Sequence, residues 1–186
     1  MTRSTVRIPR PLVAALAVFA LMIPAARPVS AGGGLEIIPA IGVSGGNSGG
    51  TATYYALDGR LPLFPTFMID AGVAFRSDDY QNDVKAKQWT VTGSLLWMPM
   101  PMLYAGAGIG SYSTDFTQPI NSNYDSNDTK FATHLTAGFR MPIVPKVVTL
   151  DINGRYVFLG NKAPTATDGS LNADFWLVAA GVAVGF

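Results

Sequence analysis

The chain has no cysteine among its 186 residues and only one histidine. The first absence excludes a disulfide framework, a thiolate metal site and a thiol nucleophile. The second leaves His134 without the companions that a transition-metal site needs. Charge is also scarce. Asp, Glu, Lys and Arg make up 13% of the chain, against the ~25% common in soluble domains. The little charge there is lies unevenly: Arg3, Arg7, Arg10 and Arg27 fall in the first thirty residues and every acid lies beyond them, leaving nine basic side chains against twelve acidic ones. A mildly acidic remainder lacks the basic surface on which nucleic-acid binding depends. Long apolar runs are missing after residue 31: the longest, Phe175–Phe186, is broken up by Gly and Ala, and no such run suits a membrane-spanning helix. No motif calls for a cofactor.

Present at the start is an address. Arg3, Arg7 and Arg10 precede a short apolar stretch, Pro11–Ala26, and Val29-Ser30-Ala31 sets small residues at a cleavage site. This is the pattern of a secretory signal peptide, expected to cover residues 1–31 and to end at Ala31. The apolar stretch is shorter than the ~20 residues of a spanning helix and Pro24 interrupts it, which argues against an uncleaved anchor. Residues 32–186 are then expected to form one domain.

That domain is punctuated regularly. Proline pairs stand at Pro62 and Pro65, Pro99 and Pro101, and Pro142 and Pro145. Between them lie polar stretches at Ser44–Thr51, Ser77–Lys87, Thr114–Thr129 and Gly160–Asn172. Short proline turns alternating with longer polar loops is the turn asymmetry of an outer-membrane barrel. Three turns and four loops require eight strands, expected near 35–43, 52–61, 66–76, 87–98, 102–113, 130–141, 147–159 and 174–186. Both chain ends then fall on the short-turn side, the periplasmic one in this architecture.

Within these segments the residues alternate. Over 147–159, Val148, Leu150, Ile152, Tyr156 and Phe158 share one face, and Thr149, Asp151, Asn153, Arg155 and Val157 the other. Over 102–113 the second face is Tyr104, Gly106, Gly108, Gly110 and Tyr112. A face of large apolar residues and a face of small or polar ones suits lipid outside and a cramped lumen inside. A soluble lipocalin-like barrel would place them the other way round. Trp89 and Trp97 share a face at a separation of ~20 Å along the membrane normal, and Trp176 and Phe186 at ~25 Å, which fits two interfacial aromatic girdles. The fold class expected is therefore all-β: an eight-stranded antiparallel up-and-down transmembrane β-barrel.

The chain ends in an alternating strand, Trp176 to Phe186, with a terminal aromatic. This resembles the C-terminal assembly signal of outer-membrane barrels. With the signal peptide and the strand count, residues 32–186 resemble the small OmpA/OmpX-type outer-membrane β-barrel family. The resemblance implies localisation in the bacterial outer membrane after secretory export. It also implies contact with outer-membrane lipid and lipopolysaccharide, recognition of Phe186 by the barrel assembly machinery, and a monomeric state.

Several residues are candidates for chemistry. Glu36, Asp58, Asp70 and Asp151 are expected to face the lumen with Arg60, Arg76, Arg140 and Arg155, four acids matched by four bases, as a self-neutralising network requires. Such a network either gates a narrow pore or plugs the barrel and fixes strand register, and eight strands leave little lumen for a pore. His134 is expected to join this network. His134-Leu135-Thr136 resembles the His-x-Ser pair of lipid A deacylases with Thr in place of Ser, but its parity points His134 inward, away from lipid. The acidic loops, with Asp78, Asp79 and Asp83 in one and Asp115, Asp125 and Asp128 in another, lack the Gly and distal Glu of an EF-hand. The expectation is thus a non-enzymatic structural and surface-interaction protein whose loops meet an extracellular ligand. A small channel or OmpW-like conduit is the alternative, and a lipid A-modifying enzyme a more distant one.

Overall fold

A computed structural model describes residues 34–46, 49–79, 85–117, 126–145, 147–162, 171–172 and 174–186. The expected signal peptide, residues 1–31, lies outside the described residues. Eight long strands form the wall: β1 (Glu36–Gly46), β2 (Gly49–Phe64), β3 (Phe67–Asp79), β4 (Lys85–Met100), β5 (Leu103–Thr117), β6 (Ser126–Val144), β7 (Val148–Phe158) and, last in the chain, Phe175–Gly185. Two short strands, β8 (Asn161–Lys162) and β9 (Leu171–Asn172), pair with each other after β7, so the last long strand is β10. Each long strand pairs antiparallel with its neighbours in sequence, and β1 pairs with β10 to close the barrel.

Following the register once round gives the barrel's pitch. Glu36 pairs with Arg60, Arg60 with Asp70, Asp70 with Ser94, Ser94 with Gly108 and Gly108 with His134. His134 then pairs with Val157, Val157 with Phe175, and Phe175 with Gly46, ten residues along β1 from the start. A stagger of ten over eight strands tilts them by ~40° and leaves an interior that side chains fill. The closing ladder skips from Ile37↔Val184 to Ala40↔Gly181, because Pro39 between them has no N–H to donate.

The strands run further than the composition suggested. β1 and β2 extend to a Gly46↔Gly49 pair, taking in most of Ser44–Thr51, and β3 and β4 extend to Asp79↔Lys85. β5 and β6 likewise reach Phe116↔Ser126. Most of the first two expected loops and about half of the third are therefore strand. Polar residues do not end a strand whose partner continues: each further pair satisfies backbone groups, and in water either face tolerates Ser, Asn or Asp. In the fourth connection Gly160 takes a left-handed φ of 71°, and its N–H donates to Asp174 Oδ1 at 2.8 Å, fastening the base of that loop.

The two faces separate cleanly. Outward lie Ile41, Tyr55, Leu57, Leu95, Ile109, Leu135, Ile152, Val178 and Val182, all exposed. No Asp, Glu, Lys or Arg side chain among the described strand residues faces outward between the aromatic bands; the outward pair Lys87 and Asp115 sits opposite itself across β4 and β5 at the loop end. A soluble barrel would expose charge where this one exposes Leu and Ile, so the lipocalin-like arrangement is excluded. A closed ladder of this kind resists detergent. The folded protein is expected to migrate at a different apparent mass from the boiled protein on a gel, and identical mobility would count against closure.

Candidate functional site

The lumen is where polar chemistry is concentrated, because the strand period of two turns every second side chain inward. Of the residues singled out from the sequence, Asp58, Arg60, Asp70, His134, Arg140, Asp151 and Arg155 are buried there, and Glu36 is half-buried at the terminal end of the barrel, where β1 begins and β10 ends. Arg60 on β2 is the hub. Its Nε donates to Asp70 Oδ2 at 2.8 Å, its Nη1 to Asp151 Oδ2, and its Nη2 to the Tyr104 hydroxyl at 2.9 Å. Tyr104 in turn donates to Asp151 Oδ1 at 2.9 Å, and its ring lies 4.6 Å under the Arg60 guanidinium. Asn153 Nδ2 adds a third contact to Asp151 Oδ1 at 3.2 Å. Arg140 on β6 grips both oxygens of Glu36 on β1 at 2.6 Å and brings its Nε to 3.8 Å from Asp151. Arg155 donates to Thr92 Oγ1 at 3.2 Å and stands 3.8 Å from Asp70.

Several of these contacts cross the lumen. β2 and β7 are three strands apart in the ring, as are β2 and β5, β1 and β6, and β4 and β7. Bidentate and shared guanidinium contacts of this kind fix geometry as well as charge.

Arg76 is set apart from the four acids. Its guanidinium lies 3.8 Å over the Phe175 ring, against an apolar cluster of Tyr54, Tyr112, Val157, Leu159, Phe175 and Leu177. The register explains the separation: Val157 follows Arg155 on β7 by one inward position, and Phe175 and Leu177 on β10 pair with Val157 and Arg155. Tyr112 and Phe175, from nearly opposite strands, meet edge to face with centroids 6.0 Å apart. The four-by-four matching of charges thus does not form one network. Counting side chains does not say which of them meet: Arg76 lies four residues along β3 from Gly72, the partner of Asp58. A second apolar cluster, Met68, Leu96 and Tyr104 with Met98 against it, lies toward the terminal end.

His134 is 1% exposed. Its Nε2 lies 2.8 Å from Ser94 Oγ and its Nδ1 3.4 Å from the Tyr112 hydroxyl. It fits only because residue 108 is glycine: a Cβ there would come within 2.6 Å of Nε2. Thr136 also faces inward and bonds the Gly154 carbonyl at 3.2 Å, so neither member of the deacylase-like pair reaches the lipid side. Tyr104, Tyr112, Ser94 and Thr92 were not singled out from the sequence. Two tyrosines on an otherwise all-glycine face were the available signal, since a large ring there must cross to the opposite wall.

On the outside, Trp97 and Trp176 are about half exposed, Phe186 is more so and Trp89 less. Trp89 packs on Phe75 at 4.9 Å, and Tyr156 on Phe158 at the same distance. Phe186 closes the wall through its N–H to the Leu35 carbonyl at 3.0 Å. Among the described residues no group of three or more His, Cys, Asp or Glu side chains is arranged to hold a metal ion.

Comparisons with known proteins agree with this architecture. The sequence model of the outer membrane protein β-barrel domain matches residues 12–183. Among solved structures, Neisserial surface protein A is 16% identical over 82% of this chain and 96% of its own, with a TM-score of 0.64. Ail, the attachment invasion locus protein of Yersinia pestis, is 14% identical over 82% and 96%, with a TM-score of 0.53. The N-terminal β-barrel domain of Pseudomonas aeruginosa OprF is 12% identical over 81% and 97%, with a TM-score of 0.50. At these identities the likeness is one of fold. No curated protein sequence matches the chain.

Proposed function

Because the chain belongs to the outer membrane protein β-barrel domain family, we propose that it is a non-enzymatic barrel that holds its loops at the cell surface and conducts little or nothing. Its place is the bacterial outer membrane. Residues 1–31 direct secretory export and are removed at Ala31. The terminal end, with its short proline turns, faces the periplasm, and the acidic-leaning loops face outward to meet an extracellular ligand. Phe186 is the assembly signal read by the barrel assembly machinery, and Trp89, Trp97, Trp176 and Phe186 anchor the monomer in lipid and lipopolysaccharide.

One observation carries this reading: the Tyr112–Phe175 contact within the apolar cluster, stacked above lumen-crossing ion pairs. A dry constriction over a charged one opposes passage of both ions and apolar solutes. In planar bilayers the purified protein is expected to give no stable discrete conductance at neutral pH. Long-lived, uniform steps would favour the channel reading instead.

A further inference from the structure

The charges on the terminal side of the apolar cluster do not balance. Glu36 and Arg140 satisfy each other at the mouth. Inside them, Asp58, Asp70 and Asp151 face Arg60 and Arg155, with Arg140, already committed to Glu36, at 3.8 Å from Asp151. Arg76 lies on the Phe175 ring, opposite Tyr54 in the ladder and four residues along β3 from Gly72, the partner of Asp58. Three carboxylates against two guanidiniums leave one negative charge in a space walled from water, where an uncompensated charge is strongly disfavoured.

Geometry identifies which carboxylate is in excess. Arg60 is committed to Asp70 Oδ2 and to both oxygens of Asp151. Asp58 is 4% exposed, and among the described residues no hydrogen bond or ion pair reaches it. It leans over Gly72 on β3, where a Cβ would lie 1.8 Å from its Oδ1, on the strand that also carries Asp70. Asp70 Oδ1 is buried without a hydrogen-bond partner, with Arg155 Nη2 no nearer than 3.8 Å. A buried carboxylate oxygen is rarely left so, and one beside a second carboxylate has room for a proton or a cation. The remaining walls offer no compensating charge. β1 and β10 contribute Ile38 and Ala179, and β4 contributes Thr92 and Ser94. β5 and β6 contribute Tyr112 and His134, which are engaged with each other and with Ser94.

We propose that the lumen binds one unit of positive charge, a proton or a small monovalent cation, between the carboxylates of Asp58 and Asp70. An anion is excluded by sign. A divalent ion would reverse the imbalance rather than cancel it, and would want six or more oxygen ligands. The assignment rests on the apolar seal above the site, whose own test is the conductance measurement, so the two can fail separately.

Carboxyl carbon-13 NMR of aspartate-labelled protein refolded in detergent micelles tests it. Spectra are taken at pH 7 in N-methyl-D-glucamine chloride, then with sodium or potassium replacing that bulky cation at constant ionic strength. A proton ligand puts the Asp58 resonance at the position of a neutral acid in every salt. A cation ligand gives an ionised resonance that moves saturably with sodium or potassium and not with the bulky cation. Asp58→Asn assigns the signal, with sequential backbone correlations replacing it if that variant does not refold. In urea titrations Asp58→Asn is expected to hold or raise the unfolding midpoint at pH 7, whereas Asp70→Asn, which strips Arg60 of a partner, lowers it. An Asp58 resonance that is fully ionised and indifferent to the salt would overturn the proposal. So would ring nitrogen shifts showing that His134 carries the charge as an imidazolium.

Discussion

Replacing Arg60 by methionine is expected to cost the barrel ~3–5 kcal/mol, the range for removing one partner from a buried ion pair. The reason is the hub geometry. Arg60 is the side chain that joins Asp70 Oδ2, Asp151 and the Tyr104 hydroxyl, and methionine fills similar space while taking the nearest cation from two carboxylates, whose other guanidiniums stand 3.8 Å away. Reversible urea unfolding in lipid vesicles, followed by tryptophan fluorescence, measures the loss. The double variant Arg60→Met with Asp151→Asn is expected to recover part of it, since the stranded charge and not the missing contact dominates. A loss below ~1 kcal/mol, the scale of a surface pair, would mean that water reaches Arg60 and that the lumen is not filled.

The second large effect lies on the other face. Leu57 stands at the middle of β2, exposed outward between Pro39 on β1 and Val73 on β3. Leu57→Arg is expected to destabilise the inserted barrel by ~2–4 kcal/mol, as arginine does at the bilayer midplane. Phe131 is more exposed still, at 84%, but sits on β6 toward the loops. There Phe131→Arg is expected to cost ~0–1 kcal/mol, because depth and not exposure sets the penalty. Equal costs at the two positions would place both in the same environment, which a membrane-spanning wall does not allow.

The sequence showed the wall far better than the contents. Strand count, pairing order and the inward or outward sense of each strand follow from a period of two and from where proline interrupts it. Asp151 and Arg155 against Ile152 and Tyr156 needed nothing more. Parity, however, gives a side and not a height. Height depends on the stagger between strands, which is a property of the closed sheet and appears in no local pattern. Arg76, nearer the loops in the sequence than most of the network yet matched there to the acids, shows the consequence: the structure sets it on Phe175, opposite Tyr54 in the ladder. Ser44 shows the same limit at a strand end. Its glycine-rich surroundings read as loop, yet it is fully buried on β1 opposite Ala52 and Leu177. The Tyr104 hydroxyl, which joins Arg60 to Asp151, was out of reach because its partners come from strands far away in sequence.

The central claim is that the large apolar face meets lipid and that its tryptophans sit at two opposite interfaces. Depth-dependent quenching tests this directly, using single-tryptophan variants that keep Trp97 or Trp176, with phenylalanine at the other two positions, in vesicles of lipids brominated at shallow or deep acyl positions. Both tryptophans are expected to be quenched more strongly by shallow bromines than by deep ones. Fluorescence of either tryptophan that is indifferent to brominated lipid would contradict a transmembrane barrel.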